Sequence, residues 1–241
     1  MEQVAIYNDW IRQHACYNAR KVGLIDDAKS VARTYVEIDE RVDSLSEQLQ
    51  MRFQVKPGDR VVLVSKSCIE AFELQFACAR IGAIFVPTNW RLTAEELRWI
   101  IQDCDPTVVF YDTEFSDICP KDRSLVEIAM DASTESPYEQ LALAKKRCKP
   151  VRVPWENTRM ILYTSGTTGL PKGVMLSHAN IASNVVNCVD RLPYLAVGNS
   201  KCISFLPCCH IYERMLHYLY IDNGVFITLT GMENIKDDIY F

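Results

Sequence analysis

Tyr163-Thr164-Ser165-Gly166-Thr167-Thr168-Gly169-Leu170-Pro171-Lys172-Gly173 packs four Ser/Thr hydroxyls, three glycines and one lysine into eleven residues. The apolar run Met160-Ile161-Leu162 before it reads as a buried strand. Val174-Met175-Leu176 follows, and then Ser177-His178-Ala179-Asn180 opens a helical pattern. A strand, a loop rich in glycine and hydroxyls, and one cation together form a wrap for a polyphosphate. The glycines let backbone N–H groups approach and point at the anion. Ser165, Thr167 and Thr168 add hydroxyl donors, and Lys172 supplies charge. A glycine- and threonine-rich surface turn would account for the composition, but not for the lysine or the flanking strand. A Walker loop is disfavoured by register, because Lys172 follows Pro171 and precedes Gly173.

Outward from this loop, the pattern alternates strand and helix. Thr34-x-x-Glu37, Ser67-x-x-Glu70 and Thr93-x-x-Glu96 each read as a capping box that starts a helix. After Thr34, residues Ile38, Val42, Leu45 and Leu49 share one helical face. Lys56-Pro57-Gly58-Asp59 is a turn, and strands are predicted over Arg60–Ser65, Ala83–Pro87 and Thr107–Tyr111. Gly82 ends the second helix, and the third stops near Asp105-Pro106. Residues 112–156 are less regular and read as a surface excursion, with a short strand over Leu125–Met130 and a helix over Tyr138–Cys148. Beyond the loop come a helix over Ser177–Arg191, a strand over Lys201–Leu206, a turn over Pro207–Ile211, a helix over Glu213–Ile221 and a strand over Val225–Thr230. This order predicts an α/β fold, layered, with a largely parallel sheet and flanking helices. Trp90, Trp99, Phe72 and Phe76 are assigned to the core.

Of 241 residues, 49% are hydrophobic and 24% charged, enough apolar material for a sizeable core. Net charge is −5, with Arg and Lys read as scattered, so no general affinity for nucleic acid is implied. The ten cysteines include no Cys-x-x-Cys pair, and no signal peptide follows Met1, so reduced thiols and a cytoplasmic location are expected. No apolar run reaches the length of a membrane span, which leaves peripheral membrane contact open. Oligomeric state is not readable.

Thr164 to Gly169 with Pro171-Lys172-Gly173 resembles, position for position, the phosphate loop of the adenylate-forming (AMP-binding) superfamily. The likeness extends to Val55-Lys56-Pro57-Gly58-Asp59-Arg60-Val61, to Gly82 through Asn89, and to Arg91-Leu92-Thr93-Ala94-Glu95-Glu96-Leu97. Leu206-Pro207 with His210 is similar to the family's Pro-x-x-His turn, and His210-Ile211-Tyr212-Glu213-Arg214 leans toward long-chain fatty acyl-CoA synthetases. Cys209 stands where many relatives carry an aromatic. The resemblance implies that residues 1–241 are an incomplete N-terminal AMP-binding domain, without the C-terminal portion and the small C-terminal domain. A fragment of that kind is expected to leave a sheet edge uncovered and to associate or dissolve poorly.

The same resemblance implies the chemistry. A carboxylic acid, of the fatty acid class, attacks ATP to give an acyl-adenylate, and coenzyme A then takes the acyl group. Thr164, Ser165, Gly166, Thr167, Thr168, Gly169 and Lys172 would hold the nucleotide, and Thr167 would help hold Mg²⁺. Lys172 and His210 are the catalytic candidates, His210 orienting the substrate carboxylate. Other readings stay open. A hydrogen-bonded turn histidine is the alternative for His210, and Cys208, Cys209, His210 and His217 could suggest metal, although adjacent cysteines do not match zinc spacing. Cys209 as a thioester nucleophile has no indicated base. His178 is placed at the loop-to-helix junction. A stand-alone nucleotide-binding or interaction module without catalysis is the competing class.

Overall fold

The computed structural model describes residues 9–121, 125–131, 133, 135–164, 170–189, 191–192, 195 and 200–231. Two sheets lie within it, where the sequence pattern predicts one. The larger runs β6 (Val126–Met130), β5 (Val108–Asp112), β3 (Arg60–Val64), β4 (Ile84–Thr88), β7 (Thr158–Thr164) and β8 (Lys172–Ser177). Every pairing in it is parallel except β7 with β8. The smaller runs β2 (Val31–Thr34), β1 (Val22–Asp26), β10 (Phe226–Leu229) and β9 (Lys201–Ser204). Here only the β1–β2 hairpin is antiparallel. The α/β, layered, largely parallel character therefore holds for both sheets. The hairpin and helix α1 (Trp10–Tyr17) were not anticipated. Their strands are short, and β2 is barely buried, so no apolar period marks them.

Helix α3 (Ile69–Ile81) is the centre of the packing. All thirteen of its residues are buried, and it touches both β1 and β4. A helix buried all round must satisfy its polar side chains internally. Lys29 Nζ donates to Glu70 at 2.7 Å, and Arg41 Nε donates to Glu73 at 2.6 Å. Arg214 donates to Gln75 at 2.9 Å. Arg80, fully buried, donates to Asp9 at 2.7 Å, to Asp43 at 2.9 Å and to Asp39. These pairs tie α1 and α2 (Tyr35–Met51) to α3, since Asp39, Arg41 and Asp43 all lie on α2. On the six-stranded sheet, Val61 and Leu63 face this core, whereas Val62 and Val64 face α4 (Ala94–Cys104) through Leu97 and Ile100. Period-two alternation thus feeds a core on each face of β3.

The Thr34–Glu37 and Thr93–Glu96 capping boxes form as predicted. The Ser67–Glu70 box does not. Helix α3 starts one residue later, with Cys68 at the N-cap, and Glu70 is drawn to Lys29. Ser67 Oγ instead donates to Leu206 O at 3.1 Å and accepts from Cys208 N–H at 3.1 Å. A tertiary partner outcompetes the local one. Gly82 ends α3 at φ 73°, and a Cβ there would meet Val153 Cγ1 at 2.7 Å, so glycine is needed twice over.

Residues 112–156 are not a surface excursion. Strand β6 extends the sheet beside β5, and α5 (Pro137–Ala142) packs Tyr138, Leu141 and Ala142 into the core. The helix predicted over Tyr138–Cys148 stops at Ala142, and Lys145 adopts φ 53°. Helices α6 (His178–Val189) and α7 (Ile211–Asp222) match the pattern to within a few residues. Phe72 and Phe76 are core, as predicted, whereas Trp90 and Trp99 are only half-buried.

Candidate functional site

Both ends of the phosphate-type loop are held by one hairpin. Thr164, the last residue of β7, pairs with Lys172, the first of β8, and Tyr163 pairs with Gly173. Ser165, Gly166, Thr167, Thr168 and Gly169 lie outside the described residues. Strand β7 runs parallel to β4, so Thr164 sits at the carboxyl-terminal edge of the six-stranded sheet, where ligands of open α/β sheets gather. Lys172 and Thr164 are exposed there. Gly173 is a close-approach glycine, since a Cβ would lie 2.9 Å from Ile161 Cγ2 and 3.1 Å from Tyr163 Cζ. The hairpin is braced from α4, because Tyr163 Oη donates to Asp103 at 2.5 Å and Trp99 meets the Tyr163 ring edge-on. Burial and then the Asp103 carboxylate push the Tyr163 phenol upward, so it stays a donor. His178 opens α6 directly after β8. Burial, and then Arg159, push its imidazole down to about 3, so it is a neutral junction residue rather than an acid or base at neutral pH.

The second element is the turn between β9 and α7. His210 is the N-cap residue of α7, exposed, with its imidazole unpartnered among the described residues. Its position is fixed from below. Ser67 holds Leu206 and Cys208, and Arg214 Nε donates to Cys208 O at 2.9 Å. Deeper still, Ser204 Oγ donates to Glu213 and lies 2.7 Å from His217 Nε2. With that oxygen accepting from Nε2–H, His217 Nδ1 carries a lone pair and no proton, and it is unpartnered among the described residues. Burial lowers the His217 pKa, and Glu213 opposes that shift. Ser204, His217 and Glu213 carry the residue types of a hydrolytic triad, but all are buried with no opening for an acyl group. They lock strand to helix. Burial pushes the Cys209 thiol up to about 11, which removes the thioester-nucleophile reading at neutral pH. Among the described residues no group of His, Cys, Asp and Glu is placed to hold a metal, so the Cys208, Cys209, His210 and His217 set is not one.

Between the two sheet edges lies a cavity of about 420 Å³. Its walls come from residues just past the carboxyl ends of β1, β3, β4, β5, β9 and β10. Lys66 and Arg91 flank the Trp90 ring, Lys66 Nζ at 5.5 Å from the centroid and Arg91 Cζ at 4.6 Å. Lys66 also donates to Glu114 at 2.8 Å, and Phe205 and Pro207 close the side toward His210. Burial pushes the Asp26 carboxyl at its base upward. Neither Lys172 nor His210 lines this cavity among the described residues. Thr164 and Lys172 lie at the carboxyl-terminal end of β7 in the six-stranded sheet and His210 beyond the carboxyl end of β9 in the four-stranded sheet, and they do not share one pocket. Sequence reading missed Lys66, Trp90 and Arg91. The available signal was their place one to four residues after a predicted parallel strand.

The sequence signature of the AMP-binding enzyme family covers residues 11–238. The chain is 30% identical over 212 residues to the indoleacetate–CoA ligase of Aromatoleum aromaticum, spanning 85% of this chain and 41% of that protein. It is 29% identical over 192 residues to the long-chain-fatty-acid–CoA ligase FadD15 of Mycobacterium tuberculosis, spanning 73% of this chain and 32% of that one. In structure it superposes on the N-terminal domain of FACL13 from Mycobacterium tuberculosis with a TM-score of 0.83 at 24% identity, covering 95% of this chain and 59% of that one. This chain belongs to the AMP-binding enzyme family, and its likeness falls on the N-terminal part of acyl-CoA synthetases. It spans less than half the length of the curated relatives named.

Proposed function

We propose that this chain is the nucleotide- and acid-binding part of an acid–thiol ligase acting on fatty acids. In the first half-reaction a carboxylate oxygen bonds to the α-phosphorus of ATP and pyrophosphate leaves. In the second the sulfur of coenzyme A bonds to the acyl carbon and AMP leaves. Family membership supports acid activation and thiol ligation in general, and the His210–Arg214 stretch supports the fatty acyl class.

The observation that carries the reading is the hairpin. It fixes Thr164 and Lys172 across from each other at the carboxyl-terminal end of β7, with the Lys172 cation exposed there. Nucleotidyl transfer needs position and charge neutralisation more than covalent help. Lys172 would neutralise phosphate charge, and Ser165, Thr167 and Thr168 would donate to phosphate oxygens, with Gly166 and Gly169 leaving room for the backbone. The residues present fit ATP in this respect. Mg²⁺ would be held by Thr167 together with the phosphates themselves, since the described residues offer no acidic cage. Magnesium supplies neutralisation of the pyrophosphate charge when bound. His210, exposed at a helix N-cap, would donate to the substrate carboxylate.

The test is ATP–pyrophosphate exchange with a panel of fatty acids, using this chain alone and joined to the C-terminal part of a related ligase, beside binding of a fluorescent ATP analogue. Lys172→Ala is expected to weaken analogue binding at least ten-fold and to abolish exchange. Analogue binding without exchange in any form supports a stand-alone nucleotide-binding module. No Lys172-dependent nucleotide binding overturns both.

A further inference from the structure

We propose that the strip from Leu143 to Arg152 docks this protein on an anionic lipid bilayer. Lys145, Lys146, Arg147, Lys149 and Arg152 place five cations in eight residues of a chain whose net charge is −5. The basic residues are therefore not scattered, and the structure shows why the run matters. Helix α5 ends at Ala142, and the strip leaves it as non-helical backbone. All five cations are exposed, and none pairs with a carboxylate among the described residues.

The strip is nailed down from beneath rather than loose. The Cys148 Sγ is buried and contacts Gln50 Oε1 at 3.5 Å, Val151 N–H donates to Arg80 O at 2.8 Å, and Val153 is buried. Anchoring the apolar members turns every charged member outward. Because its thiol is buried, Cys148 is not a handle for acylation. Beside Gln50, the end of α2 adds exposed Arg52 and exposed Met51, 68% accessible, and the start of the strip adds Leu143, 51% accessible.

This composition selects the partner. Exposed cations with flanking exposed aliphatics suit a bilayer surface, which attracts each charge without a fixed geometry and accepts apolar side chains between headgroups. A single-stranded nucleic acid calls for stacking rings, and residues 143–153 contain no aromatic. No helix among the described residues is long and apolar enough to cross a membrane, so contact through this strip is peripheral. The inference does not use the ligase reading, and its test needs neither ATP nor acid.

The test is co-sedimentation of the chain with vesicles of phosphatidylcholine alone or with about 30% phosphatidylserine, in low and high salt. Binding is expected only to the anionic vesicles and is expected to fall with salt. Lys145→Gln, Lys146→Gln, Arg147→Gln, Lys149→Gln and Arg152→Gln combined should weaken partitioning by about 3,000-fold, at roughly five-fold per cation. A control removing the exposed Arg20, Arg98, Lys121 and Arg191 by glutamine should retain it. Leu143→Ser with Met51→Ser should weaken vesicle binding several-fold while leaving heparin binding unchanged. Equal binding to neutral and anionic vesicles, no binding to either, or binding retained by the five-residue variant overturns the proposal. So does RNA binding that matches vesicle binding and depends on the same five cations. Matched circular dichroism and melting of each variant exclude misfolding.

Discussion

Ser67→Ala separates two roles for one hydroxyl. As a helix cap, Ser67 would serve only α3. In the structure its Oγ donates to Leu206 O at 3.1 Å and accepts from Cys208 N–H at 3.1 Å, with the Cys208 thiol a further 3.0 Å contact. These bonds join the β3–α3 turn of one sheet to the β9–α7 turn of the other. Truncation leaves the buried Cys208 N–H and the half-buried Leu206 carbonyl without partners. One buried orphan costs about 1–3 kcal/mol and a partly hydrated one less, so the expected loss is roughly 2–3 kcal/mol. For a chain of this size that lowers Tm by about 5–10 °C. Urea unfolding gives the loss, and amide exchange at Cys208 locates it. Ser67→Thr keeps the hydroxyl and should restore most of the stability. Ser67→Asp is the decisive variant. Aspartate caps helices as well as serine, but a carboxylate cannot donate to the Leu206 carbonyl and repels it. If Ser67→Asp matches the parent, or Ser67→Ala costs less than about 0.5 kcal/mol, the clamp reasoning is wrong.

Two further outcomes follow from the same structure. The His178 pKa is lowered from its unfolded value to about 3, so its contribution to stability is complete above the unfolded pKa and is lost as pH falls through the interval below it. Stability should drop by about 2 kcal/mol between about pH 7.5 and pH 5 from this residue alone, with His217 adding in the same direction. His178→Asn should lower the pH slope by one proton, and an unchanged slope in urea titrations would show that His178 is solvated. On the sheet edge, Val174 is 47% and Met175 68% accessible, on a strand whose outer side carries no partner among the described residues. The chain should self-associate at micromolar concentration, and Met175→Lys should shift it toward monomer in sedimentation velocity. A parent chain that sediments as a monomer would refute this.

What the sequence shows and what it hides divide by the range of the interactions. The parallel strands β3, β4 and β5 are legible because burial on both faces makes them continuous apolar runs, as in Val61 to Val64. Two capping boxes are legible because their partners are three residues apart. The third fails because Ser67 is taken by residues about 140 positions away and Glu70 by Lys29. Strand β1 is hidden because its burial comes from β10 and α3 rather than from a pattern of its own, and β2 because it is barely buried. At the candidate site, the loop is legible from its glycines and lysine. Trp90, Arg91 and Lys66 are not, since only the fold brings their two loops to one cavity. Lys145 to Arg152 disappears into an assumed helix end, although the charges themselves are plain in the sequence.

The parallel pairing of β1 with β10 has a consequence for how the chain is made. Leu24 lies opposite Ile227, so the four-stranded sheet cannot close until nearly all of the described chain has left the ribosome. The six-stranded sheet needs nothing beyond Ser177. At roughly 5–20 residues per second, β1 waits on the order of 10–40 s for its partner. During that interval the β1–β2 hairpin has only its contacts with α2 and α3, and the β10 side of β1 stays open. On a polysome carrying several nascent copies, the β10 of a neighbour can arrive first. Exchange of that one strand between chains would reproduce the same β1–β10 pairing in a swapped dimer, a route to association distinct from edge-to-edge pairing through β8.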